Sequence, residues 1–493
     1  MKLKLYFFLC LVCLPIIASA QFAQIGSDID GEFASDSSGG AIAINADGTI
    51  VVIGAIGNDG NGPLSGHASI FQNSGGIWSQ IGSDIDGEFA EDQFGVSVAI
   101  NDPGTIVAIG SIRNDGSGVD AGQVSIFENV GGVWTQIGSD LNGEAAGDAF
   151  GTSVSLNASG TILAVGARLN NGNGSFSGHV RIFENSGGTW SQIGSDIDGQ
   201  ATNDFSGTSV SLNDAGDIVA IGSPGSSIPG HARVYQNTGG SWSQVGADID
   251  GEATGDRFGQ SVSINGAGTT LAVGAFINDG QRGHVRVYQN SGGSWSQVGA
   301  DIDGENSGDR FGGSVSINND GSVIAAGAVA NDGGGLGLSS GHVRVFQNSG
   351  GVWTQVNDDI DAEASGDTFG RSVSISSDGT IIAAGGDQND GNGFDSGHVR
   401  IFENTTLSLE NISFKSQIFL GPNPASENVT LQFNTSLKDV NVSLYNLQGN
   451  LVKTSKHRQT DNINLDIKNL AQGLYFVQIL SESKKAVLKF IIK

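Results

Sequence analysis

The sequence predicts an all-β protein: a seven-bladed β-propeller whose N-terminal strand closes the last blade, followed by a small C-terminal β-sandwich. Three observations predict it. Tryptophan recurs at positions 78, 134, 190, 242, 295 and 353, at spacings of 52–58 residues, a period that signals one supersecondary unit repeated along the chain. Each unit holds four short runs rich in Val, Ile, Phe and Thr, bounded by Gly, Asn, Asp or Ser, and four antiparallel strands make one propeller blade. The ends of the array are complementary. The first copy opens Phe22-Ala23-Gln24-Ile25-Gly26 with no strand before it, and the seventh stops at Phe402-Glu403-Asn404 without a following W-x-Q-x-G strand. If the first strand completes the last blade, both defects vanish and the sheet edges are protected.

The chain divides accordingly. Residues 1–20 read as an export signal. Met1-Lys2-Leu3-Lys4 is a charged start, Leu5 to Ile17 an apolar run short for a membrane span, and Ala18-Ser19-Ala20 a small-residue cleavage site that places the cut between Ala20 and Gln21. Cys10 and Cys13 both lie in this segment, so the mature chain is expected to hold no disulfide, no cysteine metal site and no transmembrane segment.

Residues 21–404 are the propeller, with strands in the second copy expected at Trp78–Ile81, Val96–Ile100, Thr105–Ile109 and Gln123–Phe127. Asn101-Asp102-Pro103-Gly104, like Asn45-Ala46-Asp47-Gly48 and Asn318-Asn319-Asp320-Gly321, has the chemistry of a tight hairpin turn. Residues 405–417 read as a linker. From 418 to 493 lysine appears and glycine thins out. There Asn428–Asn434, Val440–Tyr445, Ile463–Ile467, Tyr475–Leu480 and Ala486–Ile492 read as strands of an immunoglobulin-like sandwich.

Charge is placed unevenly. Residues 21–405 carry 45 acidic residues against 11 arginines and no lysine, a net −34, while residues 406–493 carry 10 basic and 6 acidic residues, a net +4. A body this acidic repels nucleic acid and anionic membrane surfaces and attracts cations. No nucleophile elbow, phosphate loop, H-E-x-x-H motif or cysteine cluster is present.

The candidate site residues lie in the loop after each tryptophan strand, patterned D-x-D-G-E-x-x-x-D. Its first Asp is Asp28, Asp84, Asp140, Asp196, Asp248, Asp301 or Asp359, and its second Asp30, Asp86, Asp198, Asp250, Asp303 or Asp361, with Asn142 as the exception. The glutamate is Glu32, Glu88, Glu144, Glu252, Glu305 or Glu363, with Gln200 as the exception, and the last Asp is Asp36, Asp92, Asp148, Asp204, Asp256, Asp309 or Asp367. Carboxylates two residues apart around a Gly turn can supply several of the six to eight oxygens calcium wants. Asp residues also build Asx-turns and cap backbone amides, and a repeated turn repeats its residues whichever role they play. Both readings stand at this point.

Six histidines share one repeat slot: His67, His179, His231, His284, His342 and His398, with Gln123 in the seventh. Six equivalent copies suit a structural histidine hydrogen-bonded to a neighbouring loop better than a catalytic one. The arginines two residues on (Arg181, Arg233, Arg286, Arg344, Arg400) are expected to pair with the acidic loops or pack between blades, and the tryptophans to be core.

Two resemblances follow. Phe-Gly at Phe94-Gly95, Phe150-Gly151, Phe258-Gly259, Phe311-Gly312 and Phe369-Gly370, followed by S-V-S or a near variant and later by a segment such as Ala164-Val165-Gly166-Ala167, resembles the FG-GAP repeat of integrin α-subunit propellers. Two copies depart from it: Ser38-Gly39 replaces Phe-Gly, and Phe205-Ser206-Gly207 is shifted. That family's calcium loop, D-x-D-x-D-G between the first two strands of a blade, is absent, and tight Asn-x-x-Gly turns stand in its place. Kelch repeats are a weaker likeness to the same architecture.

The tail carries Pro422-Asn423-Pro424-Ala425, Leu444-Tyr445-Asn446-Leu447-Gln448-Gly449 and Leu470-Ala471-Gln472-Gly473-Leu474-Tyr475-Phe476-Val477. It resembles the C-terminal sorting domain of type IX secretion substrates in the Bacteroidetes. That resemblance implies a partner, the secretion machinery engaged through residues 418–493, and outer-membrane translocation. It also implies removal of the tail, with the cargo released or attached to the surface.

The functional expectation is a monomeric secreted or cell-surface binding propeller. It would recognise a glycan or protein through its acidic loop face, with calcium as the candidate cofactor. The alternatives are a carbohydrate-active enzyme with one site at the propeller centre and a structural surface-layer component.

Overall fold

The computed structural model describes residues 22–225, 228–332, 336–404, 418–446, 451–481 and 484–493. The expected signal segment with its Ala20–Gln21 cleavage site and the expected linker 405–417 lie outside these residues. The described residues are almost wholly β, with a single short helix, Asn278–Gln281.

Seven sheets share one plan. In the second, Phe94–Ile100, Ile106–Ser111, Gln123–Val130 and Val133–Gln136 lie side by side in chain order, all antiparallel. The outer strand therefore contains Trp134, which opens the next repeat in the sequence, so the repeat is offset from the sheet. The seventh sheet shows the consequence. Its strands Ser372–Ile375, Ile381–Gly386 and His398–Asn404 are completed by Phe22–Gln24, with Phe22 opposite Asn404 and Gln24 opposite Phe402.

The motif glycines are explained by how the sheets meet. The second strand of each sheet is buried along nearly its whole length, as in Ile50–Ala55. At Gly54 an added Cβ would lie 2.0 Å from the carbonyl oxygen of Gly95, which opens the next sheet. The same clash, at 2.0–2.3 Å, joins Gly110 to Gly151, Gly166 to Gly207, Gly222 to Gly259, Gly274 to Gly312, Gly327 to Gly370 and Gly385 to Gly39. The last pair returns to the first sheet, so the glycines of the two motifs mark a closed cycle of close backbone approaches.

A second cycle closes the tight-turn end. The backbone N–H of Ala46 donates to Asp102 O, Asp102 to Ala158, Ala158 to Asp214, Asp214 to Gly266, Gly266 to Asn319, Asn319 to Ser377 and Ser377 back to Ala46, all at 2.9–3.3 Å. Within the turns, Asn45 Oδ1 accepts from the N–H groups of Thr49 and Ile50, and Asn318 Oδ1 from Ser322 and Val323. The Asn oxygens thus serve their own turns, while Asn101, Asn265 and Asn319 also donate to other turns of the ring.

The tryptophans lie at the seams between sheets rather than deep in a core; Trp190 is buried and the other five are half-buried. Each indole Nε1 donates to a carbonyl just past the outer strand of the preceding sheet, from Trp78 to Ile25 at 2.8 Å through to Trp353 to Val298 at 3.1 Å. The indole body covers apolar seam while its one donor is satisfied.

The tail forms one five-stranded antiparallel sheet. It differs from expectation in its strand limits. The runs expected at 428–434 and 440–445 are one strand, Asn428–Asn446, with a register shift between Gln432 and Leu437, and the run at 463–467 is the end of Leu451–Asp466. A further strand, Ile418–Gly421, pairs with Thr430 to Phe433. The polar stretch Lys453–Asn462 hid the long strand, because an exposed ribbon has no apolar face to read. Val429, Leu431, Val440, Val442, Ile463, Leu465, Val477, Ile479 and Phe490 gather in one core.

Candidate functional site: the long-loop face

The acidic loops and the connections between the second and third strands of each sheet share the end of the ring opposite the tight turns. Each acidic loop first folds back on its own sheet. Ile85–Asp86 pairs with the start of the third strand, Asp86 opposite His67 and Ile85 opposite Ala68, and the other sheets repeat this pairing. The second Asp of the loop (Asp30, Asp86, Asp198, Asp250, Asp303, Asp361) thus faces the histidine slot. Where that slot holds Gln123, the loop holds Asn142, and Gln123 Nε2 donates to Asn142 Oδ1 at 3.4 Å.

The four carboxylates of one loop do not converge. The first Asp accepts from the glutamine four residues earlier, at 2.5–2.7 Å in all seven copies, as Gln80 to Asp84 and Gln355 to Asp359. The last Asp is buried and caps its own turn: Asp309 Oδ2 accepts from Asn306 N at 2.8 Å and from Asn331 Nδ2 at 3.0 Å, and Asp36, Asp92, Asp148, Asp204, Asp256 and Asp367 likewise accept backbone N–H groups. That leaves the second Asp and the glutamate of each loop freer of such bonds.

A different grouping forms across neighbouring loops. The glutamate of the loop entering a sheet, the histidine of that sheet and the first Asp of the loop leaving it place one ligand atom each within 4.8 Å of one another. There are five such sets among the described residues: Glu32–His67–Asp84, Glu144–His179–Asp196, Glu252–His284–Asp301, Glu305–His342–Asp359 and Glu363–His398–Asp28. The second and fourth sheets lack theirs because Gln123 replaces a histidine and Gln200 a glutamate.

The histidines depart from expectation. They are 0–5 % exposed, yet both ring nitrogens of His284, His342 and His398 have no hydrogen-bond partner. Nδ1 of His179, His284, His342 and His398 instead faces the first Asp at 3.5–3.8 Å. Burial holds the imidazoles of His179, His231, His284, His342 and His398 below their ordinary range, His398 at about 4, so these rings are neutral at neutral pH. The glutamates move the other way. Partial burial, then neighbouring carboxylates, raise Glu32 and Glu305, and burial raises Glu363 against the pull of Arg400.

The arginines pair with the acidic loops as expected, but they pack on aromatic rings of their own sheet rather than between sheets. Arg181, Arg286, Arg344 and Arg400 stack 4.9–5.9 Å from the centroids of two aromatic rings each, for instance Phe311 and Phe346 around Arg344. Their Nε lies 3.3–3.9 Å from the first Asp. In the fourth sheet Ser206 stands in the phenylalanine slot, and Arg233 sinks to 2 % exposure, donating to Asp248 Oδ1 at 3.1 Å.

The apolar tips of this face were not foreseen. Phe33, Phe89 and Phe394 are 65–70 % exposed and Phe176 43 %, with Leu64, Val119 and Leu338 also exposed on the same loops. The two loop sets are stitched together: Ser35 N donates to Phe394 O, and Glu91 N to Pro63 O beside Leu64. Recurrence of an apolar residue just before the S-G or x-x-G step of the glycine-rich loops is the sequence signal that would have found several of them. At the opposite end of the axis lies a cavity of about 240 Å³ lined by Ile44, Val98, Ser155, Ser316 and Ser374 with Asp102 and Asp214. Burial, then the charge of Asp214, raises the Asp102 carboxyl.

A ring of repeated antiparallel sheets with one closed and one open end defines a β-propeller protein. Comparison with known proteins makes this particular. The FG-GAP repeat family matches residues 142–183, 248–292 and 360–402, and the secretion system C-terminal sorting domain matches residues 419–493. The chain carries FG-GAP repeats followed by a type IX sorting domain, and it is a secreted or cell-surface protein that meets the secretion machinery through its tail. No helix among the described residues is long and apolar enough to cross a membrane.

No curated protein matches the sequence. Among solved structures, the periplasmic gluconolactonase of Pseudomonas aeruginosa is similar at 12 % identity, with 66 % of this chain and 85 % of that one covered and a TM-score of 0.45. U3-55K matches at 14 % identity over 78 % of this chain and 98 % of that one, TM-score 0.46. The GH74 xyloglucanase of Xanthomonas campestris matches at 12 % identity over 84 % of this chain and 59 % of that one, TM-score 0.45.

Proposed function

We propose that this protein is a seven-bladed recognition propeller, exported with an immunoglobulin-like sorting sandwich, that binds a glycan or glycosylated surface through its long-loop face. One observation carries the reading: exposed aromatic tips, Phe33, Phe89, Phe176 and Phe394, stand on the carboxylate-rich open end of the ring. Aromatic rings cover the apolar C–H faces of sugars, and carboxylates accept hydrogen bonds from their hydroxyls. Loops on a rigid scaffold are where binding usually sits. Calcium belongs to this proposal in a narrow form: the exposed second Asp and glutamate of a loop, such as Asp86 and Glu88, meet the ion together with ligand oxygens, since the last Asp is committed to protein donors and the first gives one oxygen to a glutamine. A glycan array probed with the mature chain, with calcium and with chelator, tests the reading. Binding to a defined glycan class is expected, stronger with calcium. No binding under either condition refutes it.

A further inference from the structure

We infer that the first sheet holds a divalent transition-metal site of the zinc class, ligated by Glu32, His67 and Asp84. The inference comes from comparing five copies of one constellation. In four, an arginine two residues beyond the histidine lies beside the first Asp: Arg181, Arg286, Arg344 and Arg400, at 3.3–3.9 Å. A guanidinium there supplies positive charge beside two carboxylates and a buried histidine. In the first sheet the same position is Ser69. This sheet alone keeps all three donors and has no arginine.

The first-sheet set opens onto space. A cavity of about 340 Å³ opens on Glu32, His67, Asp84, Asp86 and Asp59. His67 is 4 % exposed, lines this cavity, and its imidazole makes no hydrogen bond among the described residues. Asp84 Oδ1 is held by Gln80 at 2.7 Å, which orients the carboxylate in the way second-layer partners orient metal ligands.

The donor set and spacing fit one class of ion. One imidazole and two carboxylates suit zinc and its neighbours, whereas calcium takes oxygen alone. Ligands on a tetrahedral zinc stand about 3.3–3.5 Å apart. In the sister sheets the histidine Nδ1 and Asp oxygen are 3.5–3.8 Å apart without a hydrogen bond. The first-sheet atoms lie within 4.8 Å of one another. Rotation of the exposed Glu32 side chain closes the remaining gap and leaves one coordination position open to water or an outside donor. The site does not depend on the glycan reading.

The test uses the mature chain stripped with chelator. Calorimetric titration with Zn²⁺ and the visible spectrum of the Co²⁺ form report binding and geometry. One ion per chain is expected, with intense tetrahedral cobalt bands. His67→Gln copies the residue found natively at position 123, and Ser69→Arg copies the arginine of the sister sheets, so both variants keep a side chain the fold already accepts. Each should weaken Zn²⁺ at least tenfold and abolish the cobalt bands, with the melting temperature of the metal-free protein little changed. Absence of Zn²⁺ binding, retention of it in both variants, preference for Ca²⁺ over Zn²⁺, or five ions per chain would each overturn the assignment.

Discussion

At the tight-turn end of the ring the seven copies share one bonding plan, with Ser376 in place of Asn in the seventh, and at the long-loop end they diverge. Asn45 and Asn318 bond their own turns in the same way, and one N–H of each turn joins a closed cycle of seven hydrogen bonds. Asp102 and Asp214 line the axial cavity at this end, and Asp214 Oδ2 accepts from Asn319 Nδ2. At the other end the shared framework stops at the histidine and the capping Asp. Beyond it, Gln123, Gln200, Ser69, Ser125 and the short segment around Pro224 each alter one copy. The difference teaches that in this repeat the residues that recur support the scaffold, and the residues that break the recurrence are where individual function is to be sought.

The comparison can be broken most forcefully in the scaffold. Gly274→Ala sets a methyl group 2.0 Å from the Gly312 carbonyl oxygen. It should cost more than about 4 kcal/mol, measured by denaturant unfolding, and a loss under 1 kcal/mol would show that the close approach is not required. Acid should act next. The His398 imidazole is held at about 4 against an ordinary 6.5 by burial. Its folded-state value is depressed, so its stability contribution is present above pH 6.5 and is lost as the pH falls through about 4. That single group accounts for at most about 3 kcal/mol, and His398→Gln should flatten this part of the stability–pH curve.

Asp309→Ala removes the acceptor for Asn306 N and Asn331 Nδ2. It should cost about 2–3 kcal/mol, whereas Glu305→Ala in the same loop should change stability by no more than about 0.5 kcal/mol; equal effects would erase the distinction between capping and exposed carboxylates. Smallest of all, Phe89→Ser should leave the melting temperature unchanged, because the ring is 65 % exposed.

Much of this architecture was legible because its determinants are local and repeated. The offset ends, Phe22 at one and Asn404 at the other, required the closing strand, and the Asn-x-x-Gly turns announced which end would be short. The acidic loop was legible as a pattern but not as chemistry. Its first and last Asp differ in their partners, and those partners come from elsewhere: Asn331 lies 22 residues from Asp309, and His398 meets Asp28 only because the ring closes. The glutamate–histidine–aspartate sets join residues of two consecutive repeats, as Glu32, His67 and Asp84, and leave no local signal. In the tail, Leu451–Asp466 escaped notice because Lys453, Lys456 and Arg458 offer no apolar alternation.

The claim that the open end alone recognises ligand is tested most directly by comparing two variants of the mature chain on one glycan array. The first carries Phe33→Ser, Phe89→Ser and Phe394→Ser on the long loops; the second carries Asp47→Ser, Asp320→Ser and Asp378→Ser on the tight turns. The account predicts that the first loses binding with an unchanged melting temperature while the second binds like the parent. Binding that survives the first set, or disappears with the second in a still-folded protein, would contradict it.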